Sequence, residues 1–327
     1  MVEEKSNNKE GSKFSPVGGV RGGRTITIHS PGTVANLVCG FDILGLALKE
    51  PYDVMTAKLL DEPKIIIHNK DNFNLPTEAE KNVAGVVLLS IMERMNNEIG
   101  FDIEIEKHIK PGSGIGSSAA SAAGAAVVAN HLLGNIFSTD ELVQFAMNGE
   151  KLASGVKHAD NIAPCILGGV SLIRSIFPLD IVSISSPDLF VTVVHPQIEV
   201  RTSDARQILR QQILLKDAIR QWGNIAGLVT GFLKNDLDLI GRSLEDVIIE
   251  PVRSILIPGF DELKAKCKEA GALGGGISGS GPSVFMLSKD EATAKNVELV
   301  MKEVYNKIGI DYNTYVTTIN KKGVEVV

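Results

Sequence analysis

The chain has 327 residues, 44% of them hydrophobic and 22% charged, the profile of a globular protein with more chain than one ordinary core needs. Its 33 Lys and Arg against 39 Asp and Glu give a net charge of −6, so it lacks the basic footprint that tracks a nucleic-acid backbone, while a small anion held by backbone N–H groups stays open. No apolar run reaches membrane-spanning length, the N-terminus has no signal-peptide core, and Cys39, Cys165 and Cys267 form no CxxC or Cys/His pattern, so they read as reduced thiols of a cytoplasmic protein.

Residues 1–23 are polar and rich in Gly, Ser, Asn and Lys, the composition of a flexible tail. Residues 25–28, 52–60 and 64–68 alternate as strands do. Within 79–95, Val83, Val86, Val87, Ile91 and Met95 recur at helical spacing. A strand over 101–107 runs into a glycine-rich stretch, and a small-residue helix over 118–133 follows. The next helix, 139–153, has Ser138 or Thr139 placed as N-cap and Glu141 in its first turn. Strands are expected at 168–173, 189–194, 284–287 and 314–319. Helices are expected through most of 203–247, then at 258–270 and 292–307. Mixed strands and helices without a regular βαβ repeat predict an α+β protein of two lobes. The division falls into a tail at 1–23, a first domain at 24–185 and a second at 186–327.

Residues 110–121 read Lys-Pro-Gly-Ser-Gly-Ile-Gly-Ser-Ser-Ala-Ala-Ser. Alternate glycines let backbone approach a ligand closely. The helix start behind them offers unpaired N–H groups and a partial positive charge, which suit a phosphate. The serine hydroxyls there can cap the helix, bind phosphate or coordinate Mg²⁺. A tight turn before a packed helix, with no ligand, is the plainer reading. A dinucleotide loop would follow the first strand of a βαβ unit, and here several strands come first. A Walker A loop is excluded because no Gly-Lys-Ser/Thr follows.

Two more stretches stand in line with this loop. Residues 30–45 read Ser-Pro-Gly-Thr-Val-Ala-Asn-Leu-Val-Cys-Gly-Phe-Asp-Ile-Leu-Gly, and residues 274–283 read Gly-Gly-Gly-Ile-Ser-Gly-Ser-Gly-Pro-Ser. Together the three closely resemble the signature motifs of the GHMP kinases, from about residue 25 to 320. Within that family the resemblance is strongest to the homoserine kinases. It lies in Ala35-Asn36-Leu37, Gly40-Phe41-Asp42, Leu44 to Leu48, Glu150, His158-Ala159-Asp160-Asn161, Thr202-Ser203 with Ala205-Arg206, and Glu250 to Arg253. Ala159 departs from the Pro usual in the family, which touches the rigidity of that turn more than its chemistry.

The resemblance implies a two-lobed GHMP kinase fold, with a ribosomal-protein-S5-like N-terminal lobe and a ferredoxin-like C-terminal lobe. It implies ATP-dependent phosphorylation of a small alcohol, L-homoserine first, and a homodimer. A mevalonate-type substrate, or a non-catalytic binding protein on the same scaffold, are the alternatives. ATP would lie along Pro111, Gly112, Ser113, Gly114, Ile115, Gly116, Ser117, Ser118, Ala119, Ala120 and Ser121, with Mg²⁺ on Ser118 and Glu150. Arg206 and Arg253 are the expected carboxylate clamps, since guanidinium binds carboxylate through parallel bonds. Asn36, Asp42 and Asp160 would take the ammonium or hydroxyl. His158 is a substrate contact or a turn residue, and Gly276 in the third motif lies beside the substrate. Thr202 orients the hydroxyl or caps a helix. The galactose and mevalonate branches carry an aspartate base where this chain has Asn161. The resemblance therefore implies direct in-line transfer with Asp160, Asn161 and Thr202 around the reacting groups. A loose phosphoryl-transfer transition state asks little of a base. For each single Glu or Arg, a solvated or surface-paired side chain is the plainer reading.

Overall fold

The computed structural model describes residues 23–327; all of the expected tail except Gly23 lies outside the described residues. A first sheet contains β1 (Thr25–Ala35), β2 (Leu44–Leu60), β3 (Ile65–Asn69), β4 (Gly100–Glu106), β5 (Val170–Ile176), β6 (Leu179–Ile184) and β11 (Glu325–Val326). Its path is β11-β1-β2-β4-β3, with β5 joined to β2 and β6 to β5. Only the β3–β4 pair is parallel.

Against this sheet pack α1 (Val83–Arg94), α2 (Ser117–Leu132) and the short α4 (Ile162–Leu167), and α3 (Thr139–Ser154) packs on these helices. The helix expected from residue 79 starts later, because Asn82 caps it by accepting from the Ala84 and Gly85 N–H groups at 2.9 and 3.3 Å. Ser138 caps α3 with Glu141 completing a capping box. Helix α2 has no polar face. Its alanines are wholly buried, since small side chains let it lie between the sheet and its neighbouring helices.

The second sheet, ordered β10-β7-β9-β8, is antiparallel throughout. It consists of β7 (Phe190–Pro196), β8 (Gly274–Ile277), β9 (Val284–Ser288) and β10 (Tyr312–Thr318). Between β7 and β8 come α5 (Thr202–Gln207), α6 (Leu215–Lys234), α7 (Leu237–Ser243), α8 (Glu250–Arg253) and α9 (Phe260–Glu269), and α10 (Glu291–Ile308) joins β9 to β10. With α9 and α10 against it, this sheet has the β-α-β-β-α-β plan of a ferredoxin-like lobe.

Two features position the site. A continuous apolar cluster runs from Val34, Leu37, Leu44 and Leu46 in the first lobe to Val191, Phe285 and Leu287 in the second. And β11 pairs with β1 through Ile28 and His29, so a strand that linear division assigns to the second domain completes the first sheet. Among the described residues no helix is long and apolar enough to cross a membrane.

Candidate active site

The glycine motif between β4 and α2 is clamped by the other two motifs. Thr33 donates its backbone N–H to Ile115 O at 3.1 Å. Ser278 Oγ donates to Gly114 O at 2.7 Å. Asn36 Nδ2 donates to Gly279 O at 2.8 Å, and Asn36 Oδ1 accepts the Asp42 N–H at 3.0 Å. The approach is too close for side chains. A Cβ on Gly114 would stand 2.5 Å from Gly281 O, and one on Gly116 would stand 2.0 Å from Thr33 Oγ1. Both glycines hold left-handed φ angles, 83° and 72°, which other residues adopt at a cost.

The chain between β1 and β2 is unusual in the same way. Asn36, Leu37 and Val38 have φ of 73°, 40° and 66°. Leu37 and Val38 are buried in the inter-lobe cluster, which holds a backbone turn that is costly for such residues.

These contacts enclose a pocket of about 350 Å³. At one end lies the start of α2. Its N-cap, Gly116, supplies no side-chain cap, so the first N–H groups of the helix lack intrahelical partners, an arrangement that suits an anion. Beneath them Lys107 is buried. Its Nζ pairs with Asp53 and donates to Ser117 O at 3.0 Å and Ser121 Oγ at 2.9 Å. Asp53 in turn accepts the N–H groups of His108 and Ile109 at 2.8 and 2.9 Å, which fixes the chain entering the loop.

Further along, Ser118 Oγ donates to Glu150 Oε2 at 2.9 Å. Burial pushes the Glu150 carboxyl up to about 7. Asp160 is likewise pushed up to about 7, by burial first and then by the nearby Asp42 and Glu150 charges. Among the described residues no group of three or more His, Cys, Asp or Glu is placed to hold a metal. Mg²⁺ asks for less: one or two protein oxygens beside substrate phosphates. Ser118 with a buried, charge-starved Glu150 fits that habit.

At the other end Arg206 Nη2 contacts Asp42 Oδ1 and Oδ2 at 2.7 and 3.0 Å and His158 Nε2 at 2.8 Å. Burial, the largest influence, holds His158 below its ordinary value, which suits a neutral ring accepting from the guanidinium. Arg206 Nε is buried without a hydrogen-bond partner, a donor that a bound acceptor would satisfy. Arg253 gives Nε to Ala205 O at 2.9 Å and Nη1 to Gly279 O at 3.1 Å. The two guanidinium carbons lie 5.5 and 4.8 Å from the centre of the Phe41 ring, within cation–π range. Between the two ends, Asn161 Oδ1 accepts from Thr33 Oγ1 at 2.7 Å, and Thr202 Oγ1 meets Ser280 Oγ at 3.2 Å.

Comparison with known proteins agrees with this architecture. The model for the GHMP kinases N terminal domain matches residues 82–169, and that for the GHMP kinases C terminal matches residues 228–307. A homoserine kinase of Chloroherpeton thalassium is 44% identical over 314 residues, covering 92% of this chain and 98% of the relative. One of Methanococcus maripaludis is 42% identical over 285 residues, covering 86% and 94%. The crystal structure of homoserine kinase from Cytophaga hutchinsonii superposes with a TM-score of 0.89 at 47% identity, covering 93% and 97%. The chain belongs to the homoserine kinase branch of the GHMP kinases.

Not every residue expected of a GHMP kinase site faces the pocket. Its wall includes Asn36, Asp42, Glu150, His158, Asp160, Asn161, Thr202, Arg206 and Arg253, together with Pro111, Gly112, Gly114, Gly116, Ser117, Ser118 and Ser121. Ser113, Ile115, Ala119 and Ala120 are buried away from it. The Ala120 N–H is already bonded to Gly116 O at 2.8 Å. Ser117 Oγ turns inward to Ile109 O at 2.8 Å, which leaves Ser118 as the hydroxyl that points at a carboxylate. Gly276 needs correcting as a substrate contact. It sits inside β8, where a Cβ would meet Glu250 Oε2 at 2.0 Å, and the same motif reaches the pocket through Gly279 and Ser280 instead. Thr202 is the first residue of α5, whose N-cap is Arg201.

Sequence reasoning passed over Thr33, Phe41, Lys107 and Ser280. Phe41 stood in the quoted motif without a role. A lysine ending an alternating strand just before a glycine loop was the one signal for Lys107.

Proposed function

We propose that this chain transfers the terminal phosphoryl group of ATP to the side-chain hydroxyl of L-homoserine, giving ADP and O-phospho-L-homoserine, a step toward threonine. One observation carries the reading: the anion site at the start of α2 and the Asp42–Arg206–Arg253 cluster share a single pocket. A donor phosphate chain and an amino-acid head group thus have complementary partners at opposite ends.

In this reading the α2 N–H groups and the loop backbone bind the ATP phosphates, with the Lys107 charge beneath them. Ser118 and Glu150 would hold Mg²⁺, which when bound neutralises phosphate charge. Arg206 and Arg253 receive the carboxylate of homoserine, and Asp42 and Asn36 its ammonium. Thr202 and Asp160 line the path of the hydroxyl, and His158 holds Arg206. Asn161 has no proton-accepting group, so transfer proceeds by positioning and charge neutralisation without a protein base at that place. Two arginines suit an amino-acid carboxylate, and they favour homoserine over a sugar, which has none.

The same reading carries a homodimer and a cytoplasmic location. Leu215, Ile219 and Trp222 form an exposed apolar stripe on α6 that a second copy would cover. The three cysteines are free and buried, in keeping with a reducing compartment. Sedimentation velocity tests the dimer.

The test of activity is ADP release by purified protein with Mg-ATP. Turnover is expected with L-homoserine and not with mevalonate or galactose. ATP binding without turnover on any of them would overturn the reading in favour of a binding protein.

A further inference from the structure

We propose that Thr33 is a positioning residue for phosphoryl transfer, holding the Asn161 carboxamide so that Nδ2, not Oδ1, faces the reacting groups. The inference rests on the kinase reading above and adds to it the state of one side chain.

Thr33 is fully buried, and its Oγ1 lies 2.7 Å from Asn161 Oδ1, across 128 residues of sequence. The direction of this bond decides what Asn161 shows to the pocket. The hydrogen-bond network fixes it. Among the described residues the Thr33 hydroxyl has no other hydrogen-bond partner. If the amide were reversed, Nδ2 would donate to the hydroxyl, and the hydroxyl proton would be buried with no acceptor, an unfavourable arrangement. Thr33 is therefore the donor, Oδ1 is occupied, and Nδ2 is left for the pocket that Asn161 lines.

Thr33 itself has little freedom. It follows a register shift in the β1–β2 pair between Pro31 and Thr33. Its N–H is bonded to Ile115 O, and its hydroxyl occupies the space beside Gly116, where a Cβ would come within 2.0 Å. The phosphate-binding loop and the acceptor-side amide are thus joined through one hydroxyl. Asn161 then presents two N–H groups to an oxygen of the reacting pair. Its carbonyl oxygen is turned away and already paired, so it takes no part in accepting the hydroxyl proton.

The test compares Thr33→Val, which keeps the shape and removes the donor, with Thr33→Ser, which keeps the donor. T33V should lower kcat for L-homoserine about 3- to 10-fold, the scale of one hydrogen bond, and leave KM for ATP within about twofold. T33S should return kcat to within about twofold of wild type. In an Asn161→Ala background T33V should cost nothing more, because Thr33 acts through Asn161. An activity-free readout comes from the ligand-free protein. The Asn161 side-chain amide resonances, identified by their loss in N161D, should shift in T33V and stay in place in T33S. If T33V does not fold, Thr33→Ala takes its place in every comparison. The proposal fails if T33V leaves both kcat and the Asn161 resonances unchanged, or if it costs as much in the N161A background as in wild type. Wild-type protein inactive on L-homoserine would sink the kinase reading, while the resonance comparison would still decide the Thr33 claim.

Discussion

Arg206 and Asp42 meet across the two lobes, with one guanidinium nitrogen 2.7 and 3.0 Å from the two carboxylate oxygens. Each is the kind of partner an amino acid would want from the site. A zwitterion entering here would exchange partners with this pair, its carboxylate taking the arginine and its ammonium the aspartate. Charge inside the pocket is then the same before and after binding.

Arg206→Ala should therefore raise KM for L-homoserine by about 10- to 100-fold, the loss of one charged hydrogen-bonding partner, and leave KM for ATP nearly unchanged. Asp42→Asn should act in the same direction. Steady-state kinetics with each substrate varied in turn checks both, and a parallel rise in KM for ATP would contradict the assignment of the two ends.

Phe41 carries both guanidinium groups on its ring. Phe41→Ala removes that support, and an expected rise of about 5- to 30-fold in KM for L-homoserine follows from two cation–π contacts worth ~0.5–1 kcal/mol each. Isothermal titration with homoserine reads this directly. An unchanged affinity would mean that Asp42 and His158 hold Arg206, and Ala205 and Gly279 hold Arg253, without help from the ring.

Metal-nucleotide binding should depend on pH with a definite sign. Glu150 is pushed up to about 7 by burial, and only its carboxylate can bind a cation. Below that pH a proton must leave as the metal arrives. Affinity for Mg-ADP should thus weaken by up to about tenfold per pH unit below 7 and level off above it. Glu150→Gln should weaken binding and flatten this dependence. A wild-type profile flat from pH 5.5 to 8 would rule Glu150 out as the titrating ligand.

The glycines of the central loop separate two kinds of cost. A Cβ on Gly112 meets nothing within 4 Å, whereas one on Gly116 meets Thr33. Gly112→Ala should lower stability by about 1 kcal/mol, from its left-handed φ, and raise KM for ATP because its methyl enters the pocket. Gly116→Ala adds a steric clash and should lose several times more stability. Thermal melting of the two variants, with and without nucleotide, distinguishes them.

Much of this was legible in the chain. The three glycine motifs stood out because each holds backbone where side chains cannot go, and the arginines and Asp42 followed from a family pattern. Periodicity could not show β8, whose residues are Gly274, Gly275, Gly276 and Ile277, because glycines carry no alternation. It hid the early part of β2 for a similar reason: residues 44–48 are all buried, so nothing alternates. The contact between Thr33 and Asn161 joins residues on separate elements with unremarkable side chains, and no local pattern reveals it. Asn82 was missed because a helical repeat of apolar residues ran past it to 79.

The stitching of the chain end into the first sheet bears on how the protein is made. Besides β11 on β1, Asn320 N–H bonds to Ala47 O at 2.9 Å and Gly169 N–H to Asn320 O at 2.6 Å, and Leu48 pairs with Ile319. On a ribosome the lobe that appears first would therefore lack its edge strand until Glu325 and Val326 emerge. Domains usually fold in the order of their synthesis; here the earlier one gains its edge strand only after the later one has been made. A nascent chain halted before residue 319 should display an open β1 edge, a natural place for a chaperone to bind.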